Sequence, residues 1–199
     1  MITLTTRIEE ARRGHGEDRI RVVECSGHKV IVVADGAGGV VGGADAAEFV
    51  CGSAIGNAES WPAWLAQVDT VLTAKGTGLA AAVVLSITDD GAIRGASVGD
   101  CEAWVFGQGK VVDLTAGQSR KPLLGDGGAR PVGFTARLEA GAALIVASDG
   151  LWKYVGHARI VEAAALRPLG SAAEALVNGA RLRSGSLQDD IAFVGVQAA

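Results

Sequence analysis

Four stretches of this chain end or begin an apolar run with a carboxylate. Lys29-Val30-Ile31-Val32-Val33-Ala34-Asp35-Gly36 is a β-branched run that stops at Asp35, and a glycine-rich turn follows at once. Ala143-Leu144-Ile145-Val146-Ala147-Ser148-Asp149-Gly150 repeats the arrangement, and Gly95-Ala96-Ser97-Val98-Gly99-Asp100 has the same logic. In Gln188-Asp189-Asp190-Ile191-Ala192-Phe193-Val194 the acids come first. An acid at the end of a buried strand is costly to desolvate unless something pairs with it. Four strand ends, each offering oxygen, suit a hard divalent cation such as Mg²⁺ or Mn²⁺. Taken singly, each Asp-Gly is also a common turn dipeptide. A phosphate loop at Gly36–Gly43 is a poor reading, because no Gly-Lys-Ser/Thr follows.

The elements that would position these acids are legible from period. Ile2 to Ile8 alternates and reads as a strand, Arg21 to Cys25 as a second, and Val30 to Ala34 as the strand feeding Asp35. Gly43 to Ile55 is alanine-rich and helical; Trp61 to Leu72 is a second helix, with Ser60 as its cap and Pro62 in the first turn. Ala81 to Ile87 and Ala92 to Val98 form a hairpin across Thr88-Asp89-Asp90-Gly91; Cys101 to Phe106 and Lys110 to Asp113 form another. Consecutive hairpins predict antiparallel sheets. Thr115 to Pro131 is polar and glycine-rich and reads as a loop over one end of the sheet. Leu138 to Ala142 then leads into the strand before Asp149. Helices follow at Leu151 to Val155, His157 to Leu166 and Ser171 to Leu182, the last with Ser171 and Glu174 as a capping box. Ile191 to Val196 closes the chain. Trp61, Trp64, Trp104 and Trp152 read as packing residues, with Trp152 walling the acidic site from behind.

With 199 residues and no linker or repeat, a single domain is expected over 1–199. A balance of 18 basic against 22 acidic residues, with no basic tract, argues against nucleic-acid binding. No run of about 18 apolar residues is present and the N-terminus lacks an apolar signal core, so no membrane association is expected. Cys25, Cys51 and Cys101 lack metal-type spacing and read as reduced thiols of a cytoplasmic protein.

The ordered motifs resemble those of the metal-dependent type 2C serine/threonine protein phosphatases, in particular small bacterial members. Arg13-Gly14-His15-Gly16-Glu17-Asp18 resembles the family's Arg-x-x-Asn-Glu-Asp, and Asp35-Gly36-Ala37-Gly38-Gly39 its Asp-Gly-Met-Gly-Gly. Gly76-Thr77-Gly78, Val98-Gly99-Asp100-Cys101, Leu114-Thr115, Ser148-Asp149-Gly150-Leu151-Trp152 and Asp189-Asp190-Ile191 match further motifs in order along nearly the whole chain. The resemblance implies an α+β fold, a four-layer αββα sandwich of two antiparallel sheets flanked by helices. It implies two ions of Mn²⁺ or Mg²⁺, or three. Asp35 would bridge two of them and the Gly36 carbonyl would ligate one. Asp149 and Asp189 would complete one shell, with Asp189 preferred over Asp190. Glu17 or Asp18 would serve the other ion, and Asp100 would help hold a third, weaker one. Arg13 would grip the substrate phosphate, because a guanidinium fork matches two phosphate oxygens. Two cations sharing one water lower its pKa toward neutrality, so no covalent intermediate is needed.

The implied substrate is a phosphorylated protein, the enzyme opposing a serine/threonine kinase as a cytoplasmic monomer. Ala37 stands where eukaryotic members carry a histidine, which leaves the general acid unassigned. The region from about 115 to 139 is a shortened flap. That shortening, with Gly16 and Glu102 at altered positions, motivates two alternatives: a degenerate domain serving as a non-catalytic phosphoprotein-binding or regulatory module, and a hydrolase of small phosphate esters.

Overall fold

Period-two alternation sorts the side chains of β3 (His28–Gly36) onto two faces. Val30, Val32 and Ala34 pack beneath helices, whereas Ile31 and Val33 pack between two sheets. Asp35 continues the second set, so the strand's own alternation aims it into the gap between the sheets. The computed structural model describes residues 2–37, 41–54 and 58–198. Gly38 and Gly39 of the glycine-rich turn, and Ile55 at the expected end of the first helix, lie outside the described residues.

One sheet has the order β1 (Ile2–Glu9), β10 (Ile191–Ala198), β9 (Ala143–Ala147), β6 (Glu102–Gly107), β7 (Lys110–Asp113). The other runs β2 (Arg19–Cys25), β3, β4 (Ala80–Thr88), β5 (Ala92–Val98), β8 (Val132–Arg137). Every pairing is antiparallel. Ile31, Val33, Val83 and Leu85 of one sheet meet Leu144, Val146 and Val194 of the other in a shared core. Helices α1 (Gly43–Ser53) and α2 (Trp61–Lys75) cover the outer face of the second sheet. Helices α3 (Asp149–Val155), α4 (His157–Ala165) and α5 (Gly170–Ala180) cover the first. The result is the expected four-layer αββα sandwich. Central strands are covered on both faces, which is why β4 and β9 are apolar runs without alternation. No helix of the described residues is long and apolar enough to cross a membrane, and Cys25, Cys51 and Cys101 are free thiols.

Three local expectations need correction. Val132–Arg137, to which the sequence reading gave no element, is the edge strand β8, paired with β5, so the shortened flap region from about 115 to 139 carries a strand after its loop. Its residues alternate half-buried and exposed, as an edge strand's do, but flanking glycines and proline hid the pattern. Helix α5 starts at Gly170, one residue before Ser171, so Ser171 lies inside it rather than capping it: the Ser171 and Ala172 amides donate to Pro168 and Leu169, and no side chain caps the end. Trp152 does not wall the acidic site; it stacks on Trp104 at 4.8 Å and its Nε1 donates to the Ala147 carbonyl. By contrast, Ser60 caps α2 by accepting from the Ala63 amide.

Candidate metal centre

The acids named above belong to different elements that end on one side of the sandwich. Asp35 lies in β3, Asp149 opens α3 directly after β9, and Asp189 precedes β10. Asp100 sits in the crossover that carries the chain from β5 in one sheet to β6 in the other. Carboxylate oxygens of Asp35, Asp100 and Asp149 all lie within 4.8 Å of one another. They face a cavity of about 300 Å³ also lined by Glu17, Gly36, Asp189, Asp190 and Lys153. A cavity of about 340 Å³ beside α2 is lined by none of these converging acids. Chemistry, not size, singles out the acidic one.

Close backbone packing makes the convergence possible. A Cβ on Gly36 would collide with the Gly43 carbonyl, and one on Gly150 with the Asp190 carbonyl. Glycine after Asp35 and after Asp149 thus lets α1 and the Asp189–Asp190 turn approach the strand ends. A Cβ on Gly43 would also press to 2.7 Å from Glu17 Oε1. The Glu17 carboxylate instead rests on the start of α1, where the Ala44 amide hydrogen-bonds it.

Asp18 is buried, with 3% of its surface exposed. Ser148 Oγ donates to its Oδ2 at 2.6 Å and accepts from the Ala192 amide at 3.0 Å, so one hydroxyl joins β9, β10 and the β2 entrance. The adjacent acids at 189 and 190 divide their tasks. Asp190 accepts from the Ala11 and Glu17 amides, both at 2.7 Å, and clips down the turn between β1 and β2. Asp189 lines the cavity and receives one described hydrogen bond, 3.1 Å from the amide of Asp190.

The electrostatics are those of crowded, poorly matched negative charge. Burial, then the neighbouring Asp18, Asp149 and Asp100, push the Asp35 carboxyl far above the ordinary range. Asp18 is raised by burial, against the opposing hydrogen bond from Ser148. Burial followed by Asp149 raises Asp100 and Asp189, and burial followed by Asp190 raises Glu17. A bound cation inverts this logic by favouring the ionised forms. The donors are all oxygens, with no histidine or cysteine lining the cavity, so they fit a hard divalent ion.

Arg13 is exposed in the turn between β1 and β2 and does not line the cavity. The sequence reading missed two cations. Lys153, four residues after Asp149 on α3, is ion-paired with Asp149 Oδ2 and lines the cavity. Arg120 Nε stands 3.5 Å from Asp100 Oδ2. The i, i+4 spacing from Asp149 to Lys153 is a legible signal, since it puts both on one helix face. Nothing local points from Arg120 to Asp100.

No protein-family model and no curated protein sequence matches the chain. Solved structures do. A serine/threonine phosphatase of S. agalactiae superposes with a TM-score of 0.84 at 21% identity, over 100% of both chains. The Mycobacterium tuberculosis serine/threonine phosphatase PstP/Ppp gives 0.78 at 16% identity, over 99% of this chain and 98% of its own. RsbX in complex with magnesium gives 0.78 at 17%, over 100% and 96%. The chain has the fold of the bacterial type 2C serine/threonine phosphatases.

Proposed function

We propose that this chain is a metal-dependent phosphatase of the type 2C class that hydrolyses phosphoserine and phosphothreonine in proteins, in the cytoplasm and in opposition to a serine/threonine kinase. One observation carries the reading: Asp35, Asp100 and Asp149, from three separate strand ends, converge within 4.8 Å on one cavity, and burial with like charge pushes the Asp35 and Asp100 carboxyls upward. The fold, shared with several serine/threonine phosphatases and with a magnesium-bound structure, supports it.

Asp35, Asp149 and Asp189, with Glu17 and the Gly36 carbonyl, would hold two ions of Mn²⁺ or Mg²⁺. Such a pair supplies a water of lowered pKa and neutralises charge on the phosphoryl oxygens. Asp18 supports Asp35 from behind, with its own carboxylate held by Ser148. Asp190 fixes both ends of the turn bearing Arg13, and that guanidinium would be the group that receives the substrate phosphate. The short 115–131 connection leaves one wall of the cavity to Leu123.

The test is release of phosphate from a phosphothreonine peptide and from p-nitrophenyl phosphate with Mn²⁺, with Asp35→Asn and Asp149→Asn as controls. Turnover that needs the metal and vanishes in both variants is expected. Equal activity in the variants, or none in the metal-loaded wild type, refutes the reading. The regulatory alternative draws on Lys153, which already neutralises Asp149; it predicts capture of the phosphopeptide without turnover.

A further inference from the structure

The positive charge facing the acidic cavity is lopsided. Lys153 reaches it from the face of α3 that also carries Asp149, one turn earlier, and pairs with Asp149 Oδ2. Arg120 approaches Asp100 at 3.5 Å, and its side chain is 69% exposed, so that contact is weak. Both cations therefore stand at the Asp100–Asp149 corner. Among the described residues no lysine or arginine forms an ion pair with Glu17, Asp18, Asp35 or Asp189.

An ammonium has three donors and no lone pair, so it neutralises a carboxylate but cannot share it as a metal ligand does. A dication at this corner would face the fixed charge of Lys153 in a partly desolvated setting, where repulsion is poorly screened. We propose that Lys153 is a resident cation standing in place of a third divalent ion at the Asp100–Asp149 corner, so that the cavity takes two ions and Asp100 ligates neither. This rests on the metal reading above and sharpens it, because that resemblance gave Asp100 an ion of its own.

The experiment counts metal rather than turnover. The full chain is dialysed to equilibrium against Mn²⁺ and the bound metal is measured per chain, with circular dichroism melts to confirm that each variant is folded. The wild type is expected to hold two ions. Lys153→Met should rise to three, Lys153→Arg should stay at two, and Lys153→Met combined with Asp100→Asn should return to two. In the wild-type background, Asp100→Asn should leave the count at two, a measurement that does not depend on Lys153→Met folding. A wild type holding three ions, a folded Lys153→Met still at two, or a count lowered by Asp100→Asn alone overturns the proposal. No manganese in any variant overturns it together with the metal centre. Two ions bound without phosphatase activity would reject the phosphatase reading and leave the role of Lys153 intact.

Discussion

Asp69 and Asp35 are both acids drawn largely out of water, and the molecule treats them in opposite ways. Asp69, on α2, is 6% exposed and accepts three backbone amides: Gly125 at 2.7 Å, Gly127 at 3.2 Å and Ala129 at 3.1 Å. Its charge is met entirely within the fold, and it pins the loop that follows the second hairpin. The Ala80–Leu124 bridge fastens the same loop to β4. Asp35 instead faces Asp18, Asp100 and Asp149 across a cavity. Architecture explains a carboxylate answered by amides. A carboxylate answered by further carboxylates calls for a partner from outside the chain.

Substituting the unanswered acid should give the largest effect. Asp35→Asn is expected to lower metal-dependent phosphate release by about 1,000-fold, or about 4 kcal/mol of transition-state stabilisation. The metal-free variant should be more stable than the metal-free wild type, by about 1 kcal/mol, because it relieves like-charge crowding. Steady-state kinetics with Mn²⁺ and chemical denaturation in a chelator measure the two halves. A metal-free variant less stable than wild type would make Asp35 an acid of the same kind as Asp69, and the contrast would fail.

The converse substitution is Asp69→Ala. It strands three loop amides, and a loss of about 3 kcal/mol is expected in urea unfolding. Manganese binding should persist, since Asp69 does not line the acidic cavity. If the loss is under about 1 kcal/mol, the loop is held by Leu123 and Leu124 packing rather than by the carboxylate.

The two acids also differ in how visible they are in the sequence. Asp35 and Asp149 announce themselves because each follows an apolar run and precedes glycine, and strand alternation fixes where Asp35 aims. The order of strands and helices was legible for the same reason: the apolar period changes at each boundary. Asp69 could not be singled out, because its partners are amides 56 to 60 residues away, and amides leave no residue signature. The split between Asp189 and Asp190 depends on the Ala11 and Glu17 amides, on the far side of the chain. Strand β8 escaped because an edge strand buries only half of its short length. Ser171 and Glu174 have the spacing of a capping box, yet the Arg167–Leu169 turn starts the helix before them.

A pH experiment sharpens the contrast at intermediate size. Unfolded aspartate titrates near pH 3.9. In the metal-free fold Asp35 is raised well above that value, and Asp18 is pushed up to about 7. The native state therefore binds more protons than the unfolded state between those limits, so unfolding free energy falls as pH rises. The stabilising contribution is complete below about pH 4 and is lost as pH climbs through neutrality. In chelator, the melting temperature of Asp35→Asn should accordingly pull further ahead of wild type at pH 8 than at pH 5. Saturating Mn²⁺ should narrow that gap by favouring the ionised carboxylates in wild type. A gap in chelator that does not change with pH would mean that these acids are not crowded in solution.

Arg13 gives the smallest effect and tests how far the site extends beyond its acids. It is exposed, so Arg13→Ala should leave stability within about 0.5 kcal/mol of wild type. Its turn is held at both ends by Asp190, an acid answered by amides, next to Asp189, which faces the cavity. If that turn presents the guanidinium to an arriving phosphate, the substitution should raise KM for p-nitrophenyl phosphate about tenfold, or about 1.4 kcal/mol, and leave the manganese count unchanged. Lysine at 13 should restore part of this, since it keeps the charge but loses the two-pronged geometry. An unchanged KM in Arg13→Ala would move phosphate recognition to the cations at the opposite corner, Lys153 and Arg120. The architectural acid Asp190 would then serve the fold alone.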